Sequence, residues 1–234
     1  MTIRAASNSK HFSFYCRRGK GLFDLALGSV LTVLTLPLMA AIALGILLTS
    51  GRPSIFRQVR IGVRGKPFEI YKFRTMELGA AAGGPVTVAG DRRVTRIGRF
   101  LRRYKLDELP QLWNVVKGDM SFVGPRPEVP EYANTLTGVQ RAILEIRPGI
   151  TGPASVAYRN EDALLAATAN PEEYNRSIIY PAKITMNLAY AETISFRSDL
   201  YWILRTVFPA LPVRVHFLSA AKPVRNCEKG RLNG

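Results

Sequence analysis

The longest apolar stretch of the chain, residues 25–49, contains no charged residue. A helix that crosses the hydrocarbon layer of a bilayer needs roughly 20 apolar residues. The stretch is too long for the apolar core of a signal peptide, which has roughly 7–15 residues. A buried core helix is the alternative, but the chain has no second segment apolar enough to surround it. We therefore predict that this segment inserts into a membrane.

Basic residues lie on both sides of the apolar stretch. Arg17, Arg18 and Lys20 precede it, and further arginines follow it from Arg52 onward. Because Lys and Arg collect on cytoplasmic flanks, a simple crossing would violate this rule at one end. Pro37 lies in the middle, where its ring and its missing N–H disturb a helix. These features favour a re-entrant helix that breaks at Pro37 and returns to the same face; a straight span with a proline kink is the alternative.

Hydroxyl groups next to Pro37 bear on how such a break is tolerated. Backbone groups that a proline frees inside a membrane need hydrogen-bond partners. Thr32 and Thr35 stand within one or two turns of Pro37, and their hydroxyls are the predicted partners.

The pattern after the apolar stretch changes to the two-residue period of a β-strand. Between residues 54 and 76 it places Phe68, Ile70, Lys72 and Arg74 on one face. Residues 92–105 then show apolar positions at helical spacing with a strongly basic opposite face. This predicts an amphipathic helix, which could lie on anionic lipid, bind nucleic acid or be solvated.

Two adjacent carboxylates, Asp107 and Glu108, stand before the next helical pattern, which ends at Gly118. Asp107 is a suitable N-cap, and Pro110 would fall in the first turn. The helix N-terminus and the nearby Arg102 are expected to keep Asp107 ionised. From the pattern alone, the alternative to catalysis is that Asp107 only caps the helix and Glu108 only lies in its first turn.

Several later segments are rich in proline and glycine. Pro125, Arg126 and Pro127 form a rigid stretch with one guanidinium, which suits contact with a phosphate or nucleotide, and residues 147–153 read as another turn. Residues 199–215 suggest an interfacial helix that breaks near Pro209, with a packed core helix as the rival. The basic tail, residues 216–234, is expected to lack fixed structure.

Charge narrows the function classes. The formal net charge is +16 and the sequence pI is about 10.4, so a polyanion is expected nearby. Nucleic acid, anionic lipid headgroups and phosphate-bearing substrates are the candidates. Two cysteines near opposite ends make a disulfide framework or a zinc site improbable.

Four motifs in this order resemble the bacterial sugar transferase family, in particular its small monotopic phosphoglycosyl transferases. The resemblance extends from about Lys20 to about Val215. The motifs are Tyr71-Lys72-Phe73-Arg74-Thr75-Met76, Leu106-Asp107-Glu108-Leu109-Pro110-Gln111-Leu112, Gly118-Asp119-Met120-Ser121-Phe122-Val123-Gly124-Pro125-Arg126-Pro127 and Arg147-Pro148-Gly149-Ile150-Thr151-Gly152. Each is weak alone, but the ordered set behind an apolar segment is specific.

The resemblance implies an activity and a site. The family transfers a phosphosugar from a UDP-sugar to undecaprenyl phosphate and releases UMP. It implies that Asp107 is the nucleophile and that Glu108 helps to hold Mg²⁺. The substrate-binding residues that it implies are Lys72, Arg74, Arg102, Pro125, Arg126, Pro127 and Asp199. Members often carry Ser-Pro at the helix break, whereas this chain has Leu36-Pro37.

Together these expectations describe an α+β, mainly helical, monotopic membrane protein with a re-entrant helix and interfacial amphipathic helices. Its expected parts are a basic segment (1–20), the re-entrant helix (21–51), a cytoplasmic catalytic domain (52–215) and the tail (216–234). The expected place is the bacterial inner membrane, on its cytoplasmic face. Anionic lipids are expected partners and nucleic acid is not; a homo-oligomer is left open. A scaffold protein of a glycan assembly complex is the alternative function.

Overall fold

The structure is a computed structural model that describes Tyr15, residues 19–80, Val88 and residues 90–209. The helices are α1 Lys20–Ser50, α2 Arg96–Arg103, α3 Gln111–Lys117, α4 Pro130–Ala133, α5 Pro153–Ala157, α6 Glu161–Ala166, α7 Pro171–Tyr174, α8 Tyr180–Thr193 and α9 Phe196–Val207. The strands are β1 Ile55–Ile61, β2 Pro67–Phe73, β3 Ser121–Val123 and β4 Gly149–Thr151. The prediction of a mainly helical α+β fold is confirmed at this level.

The strand pattern after the apolar stretch forms an antiparallel hairpin. β1 pairs with β2 from Ile55 opposite Phe73 to Ile61 opposite Pro67. Asn114 of α3 fixes this hairpin, because its side chain accepts from the Tyr71 N–H at 3.1 Å and donates to the Glu69 carbonyl at 2.6 Å. The hairpin is thereby attached to the helix that follows the Asp107–Glu108 pair.

A second, parallel pair joins β3 to β4. The turn predicted for residues 147–153 is therefore wrong for Gly149–Thr151, which forms a strand. Two glycines allow the close approach: a Cβ at Gly124 would lie 2.3 Å from the Arg147 carbonyl oxygen, and one at Gly149 would lie 2.2 Å from the Gly124 nitrogen. Side chains at either position would push apart the two segments that support the Pro125–Arg126–Pro127 loop.

Helix α1 is continuous for 31 residues and contains Pro37. The predicted break at Pro37 is therefore replaced by a helix that continues through it. The hydroxyls of Thr32 and Thr35 donate to the carbonyls of Gly28 and Leu31, each at 2.7 Å. In a helix the residue at position 37 would donate its N–H to the Val33 carbonyl, and Pro37 has no N–H to donate. Neither threonine hydroxyl donates to that carbonyl instead. Back-bonding of this kind favours a bent helix, so re-entry remains a prediction.

The N-terminal end of α1 is attached to the folded domain by a buried polar cluster. The Lys20 ammonium lies 2.5 Å from Oδ2 of Asp199, which also accepts from the Tyr15 hydroxyl at 2.7 Å. Tyr190 donates to the other oxygen, Oδ1, at 2.5 Å. One turn later, Asp24 accepts from the backbone N–H of Phe122 at 3.1 Å. These contacts join the start of α1 to β3, α8 and α9.

The C-terminal end of α1 is attached to the same domain. Ile42 and Ile46 are buried against Phe73 and Leu101. The guanidinium of Arg74 donates to the carbonyls of Ser50, Gly51 and Arg52 at 2.5, 2.8 and 2.9 Å. It thereby satisfies carbonyls that a helix leaves unpaired at its C-terminal end.

Between these attachments, α1 presents apolar side chains to the surroundings. Val33 is 71% exposed and Leu34 is 69% exposed. By length and composition, the helix could cross a membrane. A soluble protein rarely exposes such a surface, so these side chains match a lipid-facing helix.

Candidate active site

The Asp107–Glu108 pair lies in a tight turn between α2 and α3. Lys105 adopts a left-handed conformation (φ 57°), and Leu106–Glu108 form one 3₁₀ turn. Helix α3 begins only at Gln111, with Pro110 in the N-cap position and no capping side chain. The prediction that Asp107 caps this helix is wrong, and its carboxylate is therefore not engaged with the helix backbone.

Glu108 is held by two cations from different parts of the fold. Its Oε1 accepts from the Lys72 ammonium of β2 at 2.9 Å and from the Arg126 guanidinium at 2.7 Å. Burial alone would raise the pKa of Glu108, but Arg126 and Lys72 hold it well below the usual range. Glu108 is therefore ionised at neutral pH.

Asp107 has a different environment although it is the adjacent residue. Its Oδ1 is buried and has no hydrogen-bond partner among the described residues. Burial raises the pKa of Asp107, and the charge of Glu108 raises it further, against the opposite effects of Lys72 and Arg102. Arg102 thus lowers this pKa as expected, but burial and Glu108 outweigh it, and ionisation of Asp107 at neutral pH stays a prediction. A carboxylate oxygen without solvent or donors around it is a stronger nucleophile than a hydrated one.

Arg102 approaches the pair from the last turn of α2. Its Nε donates to the Thr75 hydroxyl at 2.9 Å. That contact orients the guanidinium, and its charge acts on Asp107. The structure therefore brings Lys72, Arg102 and Arg126 around the two carboxylates.

The Pro125–Arg126–Pro127 loop is fixed on both sides of its arginine. Gly149 donates its backbone N–H to the Pro125 carbonyl at 2.8 Å. The guanidinium of Arg60 donates to the Pro127 carbonyl at 3.2 Å. Burial, together with the charge of Arg126, lowers the pKa of Arg60 to about 10. The two prolines are buried and hold Arg126 in place, while its own side chain stays 42% exposed.

Two residues predicted to bind substrate have other roles in the structure. Arg74 is buried and caps the C-terminal end of α1. Asp199 is 0% exposed, and both of its oxygens accept hydrogen bonds from Lys20, Tyr15 and Tyr190. Neither position fits the predicted substrate contact, because each polar group is already paired inside the protein.

Some residues that support the site were not singled out from the sequence. Asn114 and Thr75 hold the hairpin and Arg102, and Arg60 supports the loop. Asn114 carries the one signal that could have been used: it is a polar residue inside the apolar pattern of α3, and it is 0% exposed. Buried amides require partners, so its position indicates a cross-link.

The described residues hold no cluster of three or more metal-ligating side chains. Two adjacent carboxylates are nevertheless a suitable set for Mg²⁺, which usually binds one or two protein carboxylates together with substrate phosphates and waters. The unpaired oxygen of Asp107 is compatible with this chemistry.

Comparison with known proteins identifies a family. The sequence profile described as bacterial sugar transferase matches residues 15–212. The chain belongs to the bacterial sugar transferase family. The match includes α1, the carboxylate pair and the loop with Arg126, so the family assignment covers the whole candidate site.

Individual family members give the range of similarity. A UDP-glucose:undecaprenyl-phosphate glucose-1-phosphate transferase of Caulobacter vibrioides is 40% identical over 201 residues, which cover 80% of this chain and 68% of the relative. An uncharacterized sugar transferase of Bacillus subtilis is 37% identical over 188 residues, covering 80% and 85%. A UDP-N-acetylgalactosamine-undecaprenyl-phosphate N-acetylgalactosaminephosphotransferase of Aeromonas hydrophila is 39% identical over 150 residues, covering 62% and 34%.

Proposed function

We propose that this protein is a phosphoglycosyl transferase that moves a sugar phosphate from a UDP-sugar to undecaprenyl phosphate and releases UMP. The names of its relatives in Caulobacter vibrioides and Aeromonas hydrophila support the reaction class. The observation that carries the proposal is the pairing of unlike carboxylates. Glu108 is neutralised by Lys72 and Arg126, whereas the buried Oδ1 of Asp107 is unpaired among the described residues. Two carboxylates in such different environments can have different roles, with Glu108 as a binding group and Asp107 as the nucleophile.

The reaction we propose has two displacements at one phosphorus. Asp107 attacks the phosphorus that carries the sugar, and the bond from that phosphorus to the bridging oxygen breaks. The electron pair leaves with UMP, and a phosphosugar-aspartate mixed anhydride forms. The phosphate oxygen of the lipid then attacks the same phosphorus and frees the Asp107 carboxylate. Covalent catalysis divides one difficult transfer into two easier ones.

The cations around the pair are suited to the charge on the donor. A diphosphate repels an anionic nucleophile, and fixed positive groups reduce this repulsion. Arg126 and Lys72 lie on Glu108, and Arg102 acts on Asp107. We assign Arg126 and Arg102 to the donor phosphates, with Lys72 keeping Glu108 in position.

Mg²⁺ is the cofactor that we propose. Glu108 would hold it together with donor phosphate oxygens. The ion would supply positive charge that lowers the barrier to attack on the diphosphate. Because Lys72 and Arg126 already lie on Glu108, we expect that at least one of them shifts when metal and donor bind.

The attachment of α1 supports a monotopic arrangement. A 31-residue helix is about 46 Å long, which exceeds the roughly 30 Å hydrocarbon layer. Both of its ends nevertheless contact the same domain, through Lys20 and Asp24 at one end and Arg74 at the other. In a simple crossing, the two ends would lie on opposite sides of the bilayer. We therefore propose that α1 enters and leaves by the cytoplasmic face of the inner membrane, where a UDP-sugar is available.

A membrane-bound scaffold is the second candidate function. A scaffold would need the apolar helix and the basic surface, but it would not need two adjacent carboxylates with different partners. A requirement for Asp107 in a purified transfer reaction separates the two candidates.

The deciding experiment measures UMP release by purified enzyme before lipid is added. With the preferred UDP-sugar, found by a screen, we expect close to one UMP per active site and a protein mass increased by one phosphosugar on the peptide with Asp107. Asp107→Asn should lose both signals while it still folds. Asp162→Asn, which changes an exposed carboxylate on α6, is the matched control and should keep them.

A direct transfer in a ternary complex gives the opposite pattern. UMP release would then require the lipid, and initial-rate lines at varied substrate would intersect instead of running parallel. This pair of results would exclude the covalent route while leaving the overall reaction in place.

A further inference from the structure

A cluster of three charged side chains adjoins Arg126 and has no role in the proposed reaction. It consists of Glu128, which follows the Pro125–Arg126–Pro127 loop, Glu161 on α6 and Lys183 on α8. Both oxygens of Glu161 accept hydrogen bonds from the Lys183 ammonium, at 2.7 and 2.6 Å. This ion pair joins α6 to α8.

Two tyrosines place α8 alongside the chain between β3 and α4. Tyr190 donates to the Val123 carbonyl at 3.2 Å, and Tyr180 donates to the Tyr132 carbonyl at 3.0 Å. Lys183 is on the same face of α8 as both tyrosines, because it stands three residues after one and seven before the other. It therefore faces the segment between β3 and α4, to which the proline-rich loop belongs.

Glu128 is turned to the same side of this segment as Arg126. Its backbone forms an antiparallel bridge with Ile61, whose N–H donates to the Glu128 carbonyl at 2.9 Å. Pro127 is buried, whereas Arg126 is exposed and Glu128 is partly exposed. This alternation is typical of an extended backbone, in which side chains two residues apart point to the same side. The side chains of Arg126 and Glu128 therefore open onto one surface.

The charges of the cluster act on Arg126 as well as on one another. Glu108 raises the pKa of Arg126 most, and Glu161 adds to this effect. Burial raises the pKa of Glu128, and Lys183 is the cation that opposes this most. The cluster is therefore within electrostatic reach of the candidate active site.

Two members of the cluster have hydrogen-bonding capacity for a ligand. None of the ion pairs and side-chain hydrogen bonds among the described residues includes the Glu128 carboxylate. Lys183 directs two hydrogen bonds at Glu161, and an ammonium group has three donors. A partly buried carboxylate without a donor is unfavourable, so a ligand that supplies O–H donors would be stabilised there.

Neutral hydroxyl groups fit this cluster better than ions do. The carboxylates of Glu128 and Glu161 repel a phosphate, and Lys183 and Arg126 repel a metal cation. A hydroxyl group is neutral, donates to a carboxylate and accepts from an ammonium. In a UDP-sugar, the sugar is bonded to the phosphorus that Asp107 attacks, whereas the ribose is one phosphate further away. The sugar hydroxyls are therefore the ones that lie nearest to the cluster.

We propose that Glu128 and the Glu161–Lys183 pair bind hydroxyl groups of the donor's sugar and thereby select which UDP-sugar reacts. This inference rests on the proposed transfer reaction. A site that hydrogen-bonds a substrate hydroxyl rejects an analogue without it, because the polar groups of the site are then left unpaired.

The test measures kcat/KM for UMP release by the full chain with undecaprenyl phosphate, for UDP-glucose, UDP-galactose, UDP-N-acetylglucosamine and UDP-N-acetylgalactosamine. The Ki of UDP, which carries the phosphates and the ribose but no sugar, is measured in the same assay. Glu128→Ala should lower kcat/KM for the preferred donor about tenfold or more, because it removes a hydrogen bond to a charged group. The loss should be smaller for the poorer donors, and the Ki of UDP should not change.

Two further variants and a control accompany this measurement. Glu161→Gln/Lys183→Gln removes both charges of the pair together and should also narrow the selectivity among donors. Glu131→Ala, which removes an exposed carboxylate three positions from Glu128, is the matched control and should keep the parent's kcat/KM for every donor. If Glu128→Ala does not fold, Glu128→Gln, which keeps the size of the side chain, should show a smaller loss with the same dependence on the donor.

Three results would overturn the proposal while the transfer reaction stands. An equal decrease of kcat/KM for all donors would mean that the cluster only positions Arg126. An equal rise in the Ki of UDP would place Glu128 at the ribose or the phosphates. An unchanged kcat/KM in Glu128→Ala and in the double variant would mean that the cluster does not contact the donor. A parent protein that releases UMP from no UDP-sugar would overturn the proposed function and this inference with it.

Discussion

Replacing Asp199 by asparagine should detach the start of α1 from the catalytic domain. In the structure the Asp199 carboxylate is fully buried and pairs with Lys20 at 2.5 Å. Asparagine is nearly the same size, and its single oxygen can still accept from one of the two tyrosines while its NH2 group donates to the hydroxyl of the other. The substitution therefore removes the negative charge and leaves the Lys20 ammonium buried without a counter-charge.

The expected cost follows from that burial. The Lys20 side chain is 10% exposed and that of Asp199 is 0% exposed. Removing one partner of a buried ion pair costs about 3–5 kcal/mol. Since about 1 kcal/mol lowers the melting temperature by roughly 2–4 °C in a protein of this size, we expect a decrease of about 6–20 °C.

The assay is thermal unfolding in detergent of four proteins: the parent, Asp199→Asn, Lys20→Met and the double variant. Lys20→Met should cost a similar amount, because it leaves the Asp199 carboxylate unpaired. The double variant should lose much less than the sum, since neither charge then remains. Arg176→Gln, which breaks an exposed pair with Glu172 at 3.8 Å, is the control and should change stability by no more than about 0.5 kcal/mol.

The same variants also separate a structural role for Asp199 from the substrate contact predicted from the sequence. A structural role leaves the KM for the UDP-sugar unchanged well below the melting temperature. Additive losses, or a decrease under about 2 °C in Asp199→Asn, would refute the reasoning about the buried pair. A raised KM for the UDP-sugar without loss of stability would support the prediction that Asp199 contacts the substrate.

Three other outcomes follow from the site and the helix. EDTA should abolish UMP release and Mg²⁺ should restore it, and Glu108→Gln should raise the Mg²⁺ concentration needed; full activity in EDTA would contradict this. Because the pKa of Asp107 is raised, the ionised, nucleophilic form of Asp107 is lost at a higher pH than for an ordinary aspartate. The UMP burst measured from about pH 4 to 8 should therefore rise with pH to a plateau, and a flat profile would contradict this. Single cysteines at positions 7 and 222, with the native cysteines removed, should both resist an impermeant thiol reagent in intact spheroplasts. Labelling at position 7 would indicate that α1 spans the membrane, and Pro37→Ala should shift the protein toward that spanning form.

Local patterns were sufficient to predict the elements that carry the site. The two-residue period predicted β structure between residues 54 and 76 but not its division into the paired strands β1 and β2. The helical spacing of apolar residues predicted a helix over 92–105, and α2 begins at Arg96 with Thr95 as its N-cap. Two of the cations around Glu108, Lys72 and Arg126, were also among the predicted residues. These features depend on neighbours in sequence, or on motifs that already contain the reacting groups.

The other contacts depend on residues far apart in sequence. Lys20 and Asp199 are 179 positions apart, and Arg74 reaches the Ser50 carbonyl 24 positions away. A basic or acidic side chain in a motif looks the same from the sequence whether it binds a substrate or pairs inside the fold. Burial distinguishes the two, and burial is decided by the tertiary packing of α1 on the domain.

The positions of Lys72 and Arg74 attach the candidate site to the C-terminal end of α1. They are two residues apart along the chain, so their Cα atoms are about 7 Å apart in an extended backbone. One binds Glu108 and the other caps the C-terminal end of α1. Asn114 attaches the same strand to α3, directly after the Asp107–Glu108 turn. Because few flexible bonds separate these contacts, a shift of the end of α1 must move Glu108 or break a hydrogen bond. A lipid phosphate held where α1 leaves the bilayer would therefore meet Asp107 at a constant distance, which a reaction between a membrane lipid and a soluble nucleotide-sugar requires.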